Sequence, residues 1–95
     1  MNPVTVGFSP RALDDVKQAV DYYESQQPGL GNRFSAQLQI SLQAIKRNPF
    51  FAAVRYDQVR CTQIKKFPYL VHYYIDTSQS FAYIIAVYPT LKLPR

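Results

Sequence analysis

The sequence predicts an α+β domain: an antiparallel helical hairpin packed on one face of a small, mainly antiparallel sheet of three to four strands, in the order β-α-α-β-β-β. Three observations predict it. Apolar residues recur at helical spacing over two segments of the first half, a Pro-Gly-rich turn separates those segments, and from Val54 onward the apolar period changes to two. With 95 residues, 47% of them apolar and 18% charged, the chain is expected to form a single domain over residues 1–95 with one core spread over two layers.

Each element follows from local chemistry. A short strand is expected at Val4 to Phe8. Ser9 then Pro10 opens the first helix, because a serine oxygen can accept a first-turn amide and proline at the first helical position gives up no hydrogen bond. Leu13, Val16, Val20 and Tyr23 form its predicted core stripe, and Asp14, Asp15, Lys17, Gln18, Asp21 and Glu24 its solvated face. Pro28 ends this helix near Gln27. Pro28-Gly29-Leu30-Gly31-Asn32 reads as a tight turn using the left-handed freedom of both glycines. Phe34, Leu38, Leu42 and Ile45 form the stripe of the second helix. Lys46 and Arg47 suit the negative end of its dipole, and Asn48-Pro49 stops it.

The strands follow. Roughly Val59 to Lys66 alternates Arg60, Thr62 and Ile64 against Cys61, Gln63 and Lys65. In Pro68 to Asp76 the larger apolar set Tyr69, Val71, Tyr73 and Ile75 is assigned to the helix-facing side, which leaves Leu70, His72 and Tyr74 on the open face. Phe81 to Tyr88 is apolar on both faces, as expected of a strand inside the sheet, and the N-terminal strand is placed at an edge.

Composition narrows the function. The formal net charge is +5. The three basic and four acidic residues before position 46 leave a net −1, and the rest of the chain carries +6. A cationic half favours nucleic acid or an acidic protein segment without choosing between them. A single cysteine, Cys61, excludes an internal disulfide and a multi-cysteine zinc site, and fits a reducing compartment. The longest apolar run, Phe81 to Pro89, falls short of the ~20 residues that span a bilayer. The start MNPVTV shows no charged-then-apolar signal pattern. The expectation is a soluble, cytoplasmic chain with no membrane association, no cofactor and no metal.

Certain residues now stand out together. The N-terminal strand, Ser9-Pro10 with Ala12, Tyr22-Tyr23-Glu24, Pro28-Gly29-Leu30-Gly31 with Arg33-Phe34, Asn48-Pro49, Arg60, Phe67-Pro68-Tyr69, Val71 and Tyr73 resemble the RelE/ParE superfamily, the toxins of type II toxin–antitoxin modules. The resemblance spans nearly the whole chain in order, and the PGLG turn is most similar to the ParE branch. It implies a compact toxin neutralised by a cognate antitoxin whose disordered C-terminal segment folds along the toxin surface. In the ParE branch the target is DNA gyrase, inhibited without a recognised catalytic set; the RelE branch cleaves mRNA in the ribosomal A site. Many relatives follow the last strand with histidine, basic residues and a proline. Here Tyr88-Pro89-Thr90-Leu91-Lys92-Leu93-Pro94 retains Lys92 and Pro94 but has Pro89 where the resemblance implies a histidine and Leu91 at the first basic position. That departure weakens a nuclease assignment and leaves three readings: gyrase inhibitor, ribosome-dependent endoribonuclease, or inactive antitoxin-binding relative.

Cleavage of RNA at its 2′-hydroxyl needs a base, cations for the phosphorane charge and an acid for the leaving oxygen. The weak catalytic candidates are Arg60, Lys65, His72 and Tyr74, with His72 read as a half-exposed strand residue beside Tyr74. Arg55, Arg60, Lys65, Lys66, Tyr74, Tyr88 and Lys92 are the candidates for binding the target or the antitoxin. Charge reversal at Arg60 is expected to weaken the antitoxin complex. The helix carboxylates Asp14, Asp15, Asp21 and Glu24 read as solvated, and Cys61 with His72 is too few ligands for a metal. Gly29-Leu30-Gly31 lacks the context of a phosphate loop.

Overall fold

Ser9 starts the first helix as the sequence requires. In the computed structural model, which describes residues 3–90, its Oγ accepts the Ala12 amide at 3.1 Å and donates to the Ile85 carbonyl at 3.3 Å. One hydroxyl thus caps helix α1 (Pro10–Gln26) and ties it to the sheet. Before it runs strand β1 (Thr5–Phe8) and after it helix α2 (Leu30–Arg47). Four strands follow: β2 (Val54–Tyr56), β3 (Val59–Gln63), β4 (Tyr69–Asp76) and β5 (Phe81–Pro89).

The sheet order is β1-β5-β4-β3-β2, with β1 parallel to β5 and every other pair antiparallel. The apolar run of β5 therefore sits inside the sheet and β1 at its edge, as expected. The sheet has five strands, not the three to four expected. The additional one, β2, forms a hairpin with β3 across Asp57-Gln58, both with positive φ (41° and 66°). All three β2 residues are exposed, so no alternation marks them, and Asp-Gln is a weaker hairpin signal than Asp-Gly.

The core lies between the hairpin and one face of the sheet. Phe34, Leu38, Leu42 and Ile45 are all buried, as their spacing predicts, and meet Tyr69, Val71 and Tyr73 from β4. Phe34 stacks on Tyr23 and meets Phe67 and Tyr69 edge-on, with ring centroids 5.1–5.5 Å apart. Tyr73 is fully buried and its phenol donates to the Pro49 carbonyl at 2.7 Å, which anchors the end of α2 to the sheet; burial pushes its pKa up to about 12.

Three local expectations are corrected. Leu13 is 58% exposed, and the inward positions of α1 are Ala12, Val16, Ala19 and Tyr23, flanked by Val20. Small Ala12 and Ala19 let the helix lie close to its neighbours, which hydrophobicity alone does not reveal. Secondly, only Gly29 uses left-handed space (φ 89°); Gly31 is already helical and buried where α1 and α2 approach. Thirdly, Asp15 and Glu24 are not simply solvated. The Glu24 carboxylate accepts the Gly29 and Gly31 amides at 3.0 Å and so caps α2. Asp15 Oδ2 accepts the Val87 amide at 3.0 Å, on the length of β5 that extends past β1.

Candidate functional site

The sheet face opposite the helices carries most of the chain's unexplained chemistry. Alternation along β4 sends Leu70, His72 and Tyr74 there, and pairing brings Cys61 against His72, Tyr83 against Tyr74 and Phe81 against Asp76. The register between β4 and β5 passes over Ile85, a bulge that realigns Ala86 with His72 and Tyr88 with Leu70. Two aromatic groups result. Phe81, Tyr83 and Tyr74 form a run with centroids 4.4 and 5.1 Å apart. Beside it the His72 ring stacks on Tyr88 at 4.6 Å with Tyr56 at 5.8 Å, and the Arg11 guanidinium lies 5.5 Å from the Tyr88 ring centre.

His72 is the strongest correction. The expected half-exposed residue is 1% exposed, because the Tyr88 ring lies over it and the Tyr56 side chain comes across from β2. Tyr56 Oη and Cys61 Sγ lie 3.0 and 3.3 Å from Nδ1, while Nε2 is buried without a partner. Burial, then the Arg11 and Arg55 cations, hold its pKa below the ordinary 6.5 against an opposing pull from Asp15. Burial likewise raises the Cys61 thiol and the Tyr56 phenol. The ring is neutral at physiological pH.

This burial predicts a pH dependence. Above the unfolded value of about 6.5 the ring is neutral in both states and contributes no slope. As pH falls below it, the unfolded chain takes up a proton that the folded chain refuses, so stability drops until the depressed folded pKa is passed. Urea midpoints at pH 7.5 and 5.5 should fall more for the native chain than for His72→Phe, which keeps the stack and removes the titration. Equal falls would show that His72 does not titrate between them.

The other candidates are dispersed. Arg60 faces the helix side, where it donates to the Ala52 carbonyl at 2.6 Å and lies over the Phe50 ring at 5.1 Å, holding the loop that leads into β2. Arg55 is exposed on β2, and Lys65 and Lys66 are exposed in the turn between β3 and β4. Tyr74 is 38% exposed. Lys92 lies outside the described residues. Two grooves flank the hairpin: one of about 540 Å³ lined by Asp15, Tyr22, Tyr69 and Tyr88, the other of about 480 Å³ lined by Leu30, Arg33, Gln37, Lys66 and Phe67. Arg11 and Arg33 escaped the sequence reading of sites because nothing local separates them from ordinary surface charge. Among the described residues no three His, Cys, Asp or Glu side chains converge on a metal position, and no helix is long and apolar enough to cross a membrane.

A helical hairpin on a five-stranded sheet with this connectivity is shared with solved toxin–antitoxin structures. The chain is similar to the chromosomal ParDE system of P. aeruginosa, with a TM-score of 0.76 at 12% identity over 90% of this chain and 95% of that one. It is similar to the intact RelBE toxin–antitoxin complex of E. coli, with a TM-score of 0.72 at 18% identity over 97% and 99%. The RelBE2 complex of Mycobacterium tuberculosis gives 0.66 at 19% identity over 94% and 93%. No curated protein matches the chain. The model of the ParE toxin of the type II toxin–antitoxin system parDE matches residues 6–93, and the chain belongs to that family.

Proposed function

We propose that this toxin acts by binding rather than by covalent chemistry, inhibiting DNA gyrase, and that a cognate antitoxin neutralises it. One observation carries the non-enzymatic part: the four candidate catalytic residues do not converge. Arg60 serves the helix side, Lys65 lies in a turn, and Tyr74 shares a face with His72. His72, the only histidine, is sealed beneath Tyr88 and cannot reach a ribose hydroxyl. Membership of the ParE family supports gyrase as the target. Purified toxin at micromolar concentration should slow gyrase supercoiling and leave mRNA intact on translating ribosomes. Unchanged supercoiling overturns the gyrase reading, and cut mRNA establishes the endoribonuclease in its place.

The antitoxin contribution rests on charge and groove shape. Arg33 and Lys66 flank an apolar groove over Leu30 and Phe67, and Arg55 marks the exposed β2 edge. An acidic segment with apolar anchors fits both. Lys66→Glu and Arg55→Glu should weaken the toxin–antitoxin complex without moving the thermal midpoint of free toxin by more than a few degrees. Equal affinity at physiological salt would remove these residues from the contact. Arg60→Glu is a poorer test than the sequence suggests, because it also breaks the hydrogen bond to Ala52.

A further inference from the structure

The loop between α2 and β2 and the strand that follows expose apolar side chains that the core does not use. Phe50, Phe51, Val54 and Tyr56 are each 43–47% exposed, four large apolar groups in one short stretch of chain. Single exposed hydrophobics are ordinary on a protein surface, but a contiguous set marks a surface that meets a partner.

The loop is pinned, not loose. Pro49 is fully buried and Ala52 is buried, so the backbone dips into the core before and after the two phenylalanines. The Tyr73 phenol donates to the Pro49 carbonyl at 2.7 Å, and Arg60 donates to the Ala52 carbonyl at 2.6 Å and to the Phe50 carbonyl at 3.4 Å. Asn48 adds a local turn: its side-chain oxygen accepts the Phe50 amide at 3.3 Å and its carbonyl the Phe51 amide at 3.1 Å. The Arg60 guanidinium lies 5.1 Å from the centre of the Phe50 ring. The backbone that carries the rings is thus fixed in advance, and little freedom is lost when a partner covers them.

Shape and charge define that partner. Neither phenylalanine lines either groove beside the hairpin. Rings that project from a fixed loop suit a folded protein with a preformed pocket, whereas a disordered antitoxin segment gains more by folding into the grooves. Exposed Lys46 and Arg47 precede the loop and Arg55 follows it, and Asp57 is the sole acidic residue from Lys46 to Arg60. The one ion pair among the described residues joins Arg11 to Asp15, so these cations face no carboxylate of their own chain. A second copy of the chain is a poor match. Arg33 and Lys66 in one groove would repel them, and Asp15 in the other already accepts the Val87 amide.

We propose that Phe50 and Phe51 are the toxin's contact with its target, entering an apolar pocket rimmed by carboxylates on a folded protein. This rests on the gyrase reading, on which that protein is gyrase. Arg55 follows the loop and lies at the β2 edge, so an antitoxin bound along that edge crowds the same surface and neutralises the toxin by occlusion.

The test compares native toxin with the double variant Phe50→Ser, Phe51→Ser and with Ile40→Ser, which removes an equally exposed apolar group from α2. The double variant should need about tenfold more protein or beyond to half-inhibit gyrase supercoiling, the loss expected of aromatic anchors. Its antitoxin affinity and thermal midpoint should stay native, and Ile40→Ser should inhibit like the native chain. Equal inhibition by the double variant overturns the proposal and leaves the gyrase reading intact. An equal loss in Ile40→Ser also overturns it, since the effect would not belong to the loop. A parallel loss of antitoxin affinity in the double variant assigns the rings to the antitoxin instead. Sedimentation showing a native dimer and a monomeric double variant assigns them to a second copy. Native toxin that leaves supercoiling unchanged removes the gyrase reading, and this assignment falls with it.

Discussion

Phe34→Ala is expected to destabilise the toxin by about 3–5 kcal/mol, the range for removing a fully buried aromatic ring. Phe34 is 0% exposed and is the one α2 side chain in ring contact with α1, through Tyr23, and with both Phe67 and Tyr69 at the start of β4. Its removal opens a cavity where three elements meet, and aromatic neighbours cannot collapse into it without leaving their own partners. A domain of this length has a total stability of about 5–14 kcal/mol, so the variant should retain little reserve. Urea unfolding should show a much lower midpoint at unchanged slope. Phe34→Leu, which refills most of the volume, should recover more than half of the loss. A loss below about 1.5 kcal/mol for the alanine variant would mean that the hairpin is held mainly elsewhere.

The same ring shows what could be read before the structure was known. Phe34, Leu38, Leu42 and Ile45 are large and evenly spaced, so their periodicity predicts their burial, and the alternation of β4 predicts Tyr69, Val71 and Tyr73 in the same way. In α1 the periodicity places Val16, Val20 and Tyr23 against the core correctly and errs at Leu13, which outweighs the buried Ala12 and Ala19 in hydrophobicity. The helix turns its small side inward, where backbone proximity counts for more than side-chain size. Strand β2 escaped because three exposed residues carry no period.

The misread polar residues share one cause. Asp15 and Glu24 sit at positions that a helical pattern labels solvated, yet their partners are backbone amides of β5 and of the interhelical turn. Arg60 likewise faces loop carbonyls. No side-chain pattern marks a backbone group, so these contacts become visible only when the chain is folded. His72 follows the same logic: alternation gives its face correctly, but its burial depends on rings contributed by β2 and β5. On the open sheet face, alternation thus gives Tyr74 its place, while its distances to Tyr88 and Arg55 depend on pairing that no local pattern specifies.

The two glycines of the interhelical turn should respond to substitution by different amounts and for different reasons, although the sequence presents them as a matched pair. At Gly31 an added Cβ would stand 3.0 Å from the Val20 carbonyl oxygen and 3.0 Å from Glu24 Oε1. The carboxylate can swing away, but the carbonyl belongs to the α1 backbone and moves only if the hairpin opens. Gly31→Val adds two further carbons to that contact, an overpacking cost of about 1–3 kcal/mol. It also displaces the Glu24 cap from two amides, for about 1 kcal/mol more. The gain in helix propensity and the stiffer unfolded chain return up to about 1 kcal/mol, so a net loss of about 2–3 kcal/mol is expected. At Gly29 an added Cβ meets nothing within 4 Å, and the only obstacle is the left-handed φ of 89°, so Gly29→Ala should cost about 1–2 kcal/mol. Urea midpoints should therefore rank native above Gly29→Ala above Gly31→Val. The reverse order would mean that backbone handedness, rather than the closeness of the two helices, sets the geometry of the hairpin.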